Sequence, residues 1–400
     1  FPIYVGLVCA AIVLGRYLSA GWDRTRLVEF FESGLSFGLA GIGLFFPFYM
    51  GFSSQAGGFL PSLAFFTRGA HFWVMFGVLL IPILLGLLLT PRKLGKIFEF
   101  QKGIKYSLLV VLGLWGAMIL LGMGFAILPG LLAGIGGRLE AMAASAAGQF
   151  FNLQGSALLR DVLLDTTIKR LFSPGAWITI GFLLTLVWAG VLGLKNNRKT
   201  DAEILDSSEQ DIQISEKSGT YPFLLLLIVI GIGLTLFPEF FYLRDQFGWR
   251  MNTIFKFYYQ TWILWSMAAS VSFYMIWKTI HGAAKWVAGI LLAISLLAGL
   301  VYPYSGLYFR FQNTRQNNMT LDGNAYIGYG NPDEDAAMKF LQFAPDGIVA
   351  EAIGGSYSGY GRISTQTGLV TVLGWPGHES QWRGGAKEIG SREDDIKRLY

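Results

Sequence analysis

The sequence predicts an all-α polytopic membrane domain of about eight transmembrane helices, followed by a partial extracytoplasmic α/β domain. Three observations predict it. Of the 400 residues, 53% are hydrophobic and only 14% are charged. A soluble domain carries roughly 25% charged residues, so much of this surface faces something other than water. About eight apolar runs approach the ~20 residues that a helix needs to cross the hydrocarbon core. From Pro303 onward the long apolar runs stop, and Asn, Asp, Gly and Gln take over.

The apolar runs are 2–20, 34–52, 72–90, 106–128, 176–194, 221–237, 253–277 and 286–302. Lipid offers the backbone no hydrogen-bond partner, so each run is read as a helix bonded to itself. Basic residues set the orientation. Arg92, Lys93, Lys96, Lys102 and Lys105 fall in one loop, and Lys195, Arg198 and Lys199 in another, ahead of an acidic stretch at 201–216. Arg24/Arg26 and Lys278/Lys285 fall on the same side when eight crossings are counted, and enrichment in Lys and Arg marks that side as cytoplasmic. The expected location is a prokaryotic plasma membrane. Segments 53–71, 129–175 and 238–252 and the tail are then extracytoplasmic. The expected domains are a transmembrane helical domain at 1–302 and a soluble domain at 303–400.

Within the long outer segment 129–175, residues 158–172 read as an amphipathic helix lying at the interface, with Asp165 and Lys169 paired at i,i+4 on its polar face. Gly34 and Gly38 fit a small-xxx-small helix contact. In the tail, 331–343 reads as a helix whose first turn carries Asp333, Glu334 and Asp335, where the helix dipole favours acids. Segments 348–353 and 369–373 read as short strands, 386–400 as a second helix, and the glycine-rich 354–361 as a loop. The chain opens at Phe1 inside an apolar run and stops just after an expected helix, as an internal piece of a longer protein would.

Several functions are disfavoured. The net charge of +5 lies in short loops rather than in a basic stripe, so nucleic acid is not an expected partner. Cys9 is the single cysteine, so no internal disulfide can form. No apolar run carries Asp or Glu at its middle, which argues against a proton- or sodium-driven carrier.

The densest chemistry lies in 238–252, which places Glu239, Arg244, Asp245 and Arg250 between two membrane helices. Asn252 suits an N-cap for the next helix, and Lys256 and Gln260 continue its face as a polar stripe descending into the bilayer. A lysine in the membrane is costly without a partner. One reading is a site for an anionic lipid headgroup. Arg244, Arg250 and Lys256 would hold the phosphate, and Glu239 or Asp245 would be the base or a metal-facing acid. The other is surface pairing of Arg244 with Asp245 and snorkelling of Lys256. Gln55, Arg68 and His71 in the 53–71 loop line the same cavity, or form a glycine turn with interface anchors. One His without a second His or Cys nearby is a weak metal signal. A divalent metal therefore stays open as a cofactor, and no metal ligand is assigned. In the tail, Trp375, His378, Glu379, Trp382 and Arg383 would stack on and hydrogen-bond a sugar, or pack as an interface loop.

Three segments carry a family resemblance. They are Arg244-Asp245 with Trp249-Arg250-Met251-Asn252-Thr253 and Phe255-Lys256-Phe257-Tyr258-Tyr259-Gln260, then Gly51–Gly58 with Thr67-Arg68-Gly69, and then Gly374-Trp375, His378-Glu379 and Gln381-Trp382-Arg383-Gly384. Together they resemble the uncharacterised Chlor_Arch_YYY membrane-protein family over nearly the whole chain. That family is grouped by similarity with the GT-C class of membrane glycosyltransferases. The resemblance implies a GT-C-like helical fold and a polyprenyl-phosphate-linked sugar as partner, beside membrane lipids. It also implies transfer of the sugar to an extracytoplasmic acceptor. The GT-C class places a key acid in its first outer loop, ahead of the start of this chain, so Glu239 and Asp245 serve either catalysis or binding. Two rivals remain beside the transferase: a transporter or flippase of a lipid-linked substrate, and a non-catalytic structural subunit of a membrane assembly.

Overall fold

The computed structural model describes residues 12–13, 23–51, 58–93, 99–134, 136–156, 158–204, 220–245, 247–313, 320–383 and 385–400. The chain divides into two units, one made of residues 1–44 and 58–304, the other of residues 45–57 and 305–400.

Among the described residues, six helices are long and apolar enough to cross a membrane. They are α1 (Thr25–Gly51), α2 (Gly69–Lys93), α3 (Phe100–Leu132), α6 (Gly175–Ile204), α7 (Thr220–Phe240) and α9 (Ala283–Asn313). Two expected crossings are not among them. The run 2–20 lies almost wholly outside the described residues. The run 253–277 forms α8 (Met251–Thr279), a helix of full membrane-spanning length whose apolar character is diluted by Asn252, Lys256, Gln260, Ser266, Ser270 and Ser272. Helix α8 packs against α2 and α7 and buries Thr253, Tyr258, Thr261, Trp265, Ala268, Ala269, Ser272 and Ile276. It is a core helix with a polar margin.

In lipid, helices associate through close packing and hydrogen bonds rather than through the hydrophobic effect. The core of the first unit follows that rule. Phe72, Phe76, Leu80, Ile83 and Leu87 of α2 are fully buried. Phe76 meets Tyr258 and Trp265 edge-on, each with centroids 5.1 Å apart. The Trp265 indole N–H donates to the Ile228 carbonyl of α7 at 3.3 Å, and it lies so close to Gly231 that any Cβ there would overlap the ring. By contrast, α1 has Gly41 as its one buried residue. Among the described residues nothing lies within 4 Å of where a Gly38 Cβ would stand, so none of them makes the close contact expected there.

Segment 129–175 holds more structure than the one helix expected. Helix α3 continues to Leu132, and a helix α4 (Arg138–Leu153) follows, burying Ala143, Ala147, Phe150 and Phe151. Next comes α5 (Leu159–Phe172), close to the expected bounds and with the Asp165–Lys169 ion pair in place. Its buried row, however, is Val162, Thr166 and Arg170, while Leu164, Ile168, Leu171 and Phe172 are exposed. This helix therefore turns a cation toward the protein and leaves an apolar side uncovered by it.

Two short strands complete the first unit. Strand β1 (Phe59–Pro61) pairs antiparallel with β2 (Phe241–Leu243), Leu60 opposite Tyr242. The pairing is extended by the Arg244 N–H to the Gly58 carbonyl at 2.8 Å. It ties the segment before α2 to the segment before α8.

The second unit is mostly helical. Helices α10 (Ala325–Gly330) and α11 (Pro332–Leu341) meet at Asn331, whose side chain accepts from the Glu334 N–H as an N-cap. The expected strands shrink to β3 (Ile348–Val349) and β4 (Val370–Thr371), paired in parallel, with α12 (Arg362–Thr367) between them. After α13 (Pro376–Trp382), the expected helix over 386–400 is broken into a single 3-10 turn and α14 (Arg392–Lys397). The break falls at Gly390, whose φ of +57° is costly for any other residue. Leu373, Ile389 and Ile396 form the small core.

Candidate functional site

Helix α7 ends by exposing carbonyls that its own backbone cannot satisfy, at the end where the helix dipole attracts cations. Two arginines and a backbone N–H take them. The Pro238 carbonyl accepts from Arg250 Nη1 at 3.1 Å. The Glu239 carbonyl accepts from Arg170 Nη2 at 2.9 Å, and the Phe240 carbonyl from the Ser62 N–H at 2.7 Å. The local sequence explains the arrangement: Arg250 is the residue before α8, and Arg170 closes the inward row of α5.

Glu239 sits in the last turn of α7 rather than in an outer loop, and it is 1% exposed. Its carboxylate pairs with Arg250 Nη1 at 2.8 Å and accepts from the Thr67 N–H at 2.9 Å and from the Thr67 hydroxyl. Thr67 Oγ1 also lies 3.1 Å from Tyr258 Oη and accepts from Arg250 Nη2 at 3.3 Å. A carboxylate so fully engaged holds elements together, whereas the sequence reading has Glu239 as a base or a metal-facing acid.

Arg170 is 3% exposed. Its Nη2 also donates to the Ser62 carbonyl at 3.0 Å and to the Phe65 carbonyl at 3.2 Å. Its Nε and Nη1 meet no acceptor among the described residues. Instead the rings of Phe66, Trp177 and Phe240 lie 5.7, 5.3 and 5.9 Å from the guanidinium carbon, within range of a cation–π attraction. Burial pushes its pKa down to about 10, Glu239 opposing the shift and Arg250 adding to it. Arg170 therefore stays charged at neutral pH. Two buried guanidiniums thus face one carboxylate.

The loop between β1 and α2 is fixed at several of its polar groups. The Leu63 and Ala64 N–H groups both donate to Gln154 Oε1 at 3.0 Å. Gly69 then meets Gly175 so closely that a Cβ on Gly69 would stand 2.6 Å from the Gly175 Cα. This clamped loop projects Arg68.

In front of it lies an open cavity of about 780 Å³, lined by Ala64, Phe65, Phe66, Arg68, Lys169, Phe172, Ser173, Trp249, Arg250, Met251 and Ile254. Its charged lining is entirely cationic, and most of the rest is apolar or aromatic. Lys169 has Asp165 as partner. Arg68 has no carboxylate within ion-pair distance among the described residues. The cavity volume falls in the usual range for small-molecule sites, roughly 300–1,000 Å³.

Of the residues singled out in the sequence, Arg68 and Arg250 line this cavity together. Arg244, Asp245, Asn252, Lys256, Gln260 and His71 lie on the neighbouring segments and do not line it. The expected Arg244–Asp245 pairing is absent. Asp245 instead accepts from Asn252 Nδ2 at 2.7 Å and from the Phe247 N–H at 2.9 Å. Asn252 lies inside α8, and Arg250 occupies the N-cap position. Lys256 is exposed on α8. Gln55 lies outside the described residues. In the second unit, Trp375 precedes α13, which carries His378, Glu379 and Trp382, and Arg383 closes it in an ion pair with Glu379. The sequence reading missed Arg170 and Gln154, and it quoted Thr67 and Tyr258 in the family motifs without giving either a role. Among the described residues, no three or more His, Cys, Asp or Glu side chains gather as a metal would need.

No curated protein and no solved structure matches the chain. The family described as Uncharacterized membrane protein (DUF2298) matches residues 1–265, a span that includes every residue of the cavity. The protein, with its several apolar membrane-length helices, therefore belongs to the DUF2298 family of uncharacterized membrane proteins.

Proposed function

We propose that the protein is a membrane glycosyltransferase-like protein that binds a polyprenyl-phosphate-linked sugar and passes the sugar to an acceptor on the extracytoplasmic side of a prokaryotic plasma membrane. One observation carries the reading: the cavity joins Arg68, Lys169 and Arg250 to walls built from Phe65, Phe66, Phe172, Trp249, Met251 and Ile254. Cations suit a phosphate, and arginine matches its geometry with paired N–H donors. The apolar walls suit the first prenyl units. The resemblance to the GT-C class adds the chemistry of transfer.

In this reading the acceptor hydroxyl attacks the anomeric carbon, and the bond from that carbon to the phosphate oxygen breaks. The polyprenyl phosphate leaves with the electron pair, stabilised by Arg68 and Arg250. Asp245, on the segment beside the cavity rather than in its lining, is the acid that would take the hydroxyl proton, and Glu239 positions Arg250. A second reading, a flippase for the same lipid, is favoured by the absence of any carboxylate from the cavity lining among the described residues; it needs phosphate binding without bond cleavage.

The test uses the protein in lipid nanodiscs with labelled polyprenyl-phosphate hexoses, following released polyprenyl phosphate in wild type, Arg68→Ala and Asp245→Asn. Release that both substitutions abolish supports transfer. Donor binding lost in Arg68→Ala, with no release from wild type, supports the flippase. Donor binding that Arg68→Ala leaves unchanged overturns both readings.

A further inference from the structure

Tyr357 is the one non-glycine residue among the described residues with a left-handed backbone, at φ +60°. For an L-residue with a large side chain this conformation is strained. Such strain persists where the surroundings impose it, and it clusters at functional positions. The strain here does not serve to bury the ring, because Tyr357 is 81% exposed. It serves instead to aim the ring. The Tyr357 ring lies 5.4 Å from Trp375 and 4.8 Å from His378, centroid to centroid, and Trp375 lies 5.2 Å from His378.

The three rings form a closed triangle, held by contacts with its frame. The Trp375 indole N–H donates to the Tyr360 carbonyl at 2.6 Å. Gly377 lets Ser356 approach, since a Cβ there would stand 3.1 Å from Ser356 Oγ. His378 Nε2 is buried with no hydrogen-bond partner among the described residues. On the helix that carries His378, Glu379 and Arg383 form a mutually neutralised pair.

We propose that Tyr357, Trp375 and His378 form a saccharide-binding site in the second unit. The chemistry selects the ligand class. The negative face of an exposed aromatic ring attracts the weakly positive C–H groups on one side of a pyranose. The polar rim of Glu379 and Arg383 supplies donors and acceptors for hydroxyls. Because Glu379 and Arg383 cancel each other, the site suits a neutral sugar rather than an anion. The inference stands on the second unit alone and does not depend on the lipid-phosphate reading of the cavity.

The experiment is saturation-transfer NMR on the full chain in nanodiscs, with methyl α-mannopyranoside and methyl β-glucopyranoside as probes and sorbitol as the control. Wild type should transfer saturation to the ring protons of at least one hexoside and not to sorbitol. Tyr357→Gly removes the ring while accepting the backbone conformation without strain, so it should weaken binding at least tenfold with an unchanged or higher Tm. Tyr357→Phe should retain binding. Equal transfer to sorbitol, no transfer to either hexoside, or undiminished binding by Tyr357→Gly each overturn the proposal. So does a lowered Tm in Tyr357→Gly, which would make the ring a packing element.

Discussion

Arg250 Nη1 lies 2.8 Å from Glu239 Oε1, with side-chain exposures of 8% and 1%. The pair joins the end of α7 to the start of α8, and Arg250 also faces the cavity. One arginine thus caps a helix on one side and lines the cavity on the other.

Breaking that pair from either end should be costly but unequal. Removing one partner of a buried ion pair typically loses ~3–5 kcal/mol, because a charge is left without compensation. Glu239→Gln leaves Arg170 and Arg250 together without an acid. Arg250→Met leaves Glu239 with the Thr67 donors and Arg170 still nearby. Thermal unfolding in detergent should therefore place Glu239→Gln below Arg250→Met. The double variant should recover part of the loss. Equal Tm values for the single variants would show that Arg170 adds nothing to the balance.

Arg170 gives a sharper test. One side chain serves the Ser62, Phe65 and Glu239 carbonyls at 3.0, 3.2 and 2.9 Å. Each buried acceptor left unsatisfied costs ~1–3 kcal/mol. Arg170→Met removes all three bonds and should lower stability by ~3 kcal/mol or more. Arg170→Lys keeps the charge but loses the planar fork, and should fall between Arg170→Met and wild type. Limited proteolysis within 62–68 would read the same order locally, since that loop is the part released.

These two arginines differ in how far they were legible in the sequence. Arg250 stands out, since charges flanking a long apolar run invite attention. Arg170 does not, because Val162, Thr166 and Arg170 read along α5 as an ordinary surface row. Its partner carbonyl lies 69 positions away in sequence, and nothing local announces it. The apolar runs were visible for the converse reason: length and composition suffice to mark a span. Hydrophobicity marked α8 as well, as the run 253–277, but it did not show that Lys256 and Gln260 sit at the helix margin while Trp265 and Tyr258 fill the core. In the tail, the segment 386–400 has helical composition, but Gly390 stops the helix.

The cavity cations should separate binding from stability. Arg68 is exposed and carries no ion pair among the described residues, so Arg68→Ala should change stability by no more than ~0.5 kcal/mol. Hydrogen bonds to charged groups are worth ~1.5–3 kcal/mol, so its affinity for an anionic lipid phosphate should drop at least tenfold. Lys169→Ala should have a smaller effect, because Asp165 already neutralises it. The wild-type affinity should weaken between about 0.05 and 0.5 M salt, as the screening length shortens toward a few ångströms. An affinity insensitive to salt in nanodisc titrations would remove the phosphate from this site.

Two glycines offer a matched pair for packing. At Gly69 a Cβ would stand 2.6 Å from the Gly175 Cα and 2.9 Å from its carbonyl carbon. Both are backbone atoms at the start of α6, with no flexible side chain to move aside. Overpacking of this kind costs ~1–3 kcal/mol, and the shift it forces would displace Arg68, the adjacent residue. Gly38 sits in α1, where a Cβ would meet nothing within 4 Å among the described residues, and an alanine there should be neutral or stabilising by up to ~1 kcal/mol through helix propensity. Gly69→Ala should thus lower Tm and weaken lipid-phosphate binding together, while Gly38→Ala should leave binding intact and hold or raise Tm. If Gly69→Ala weakened neither, the Gly69–Gly175 contact would not be what sets the position of Arg68.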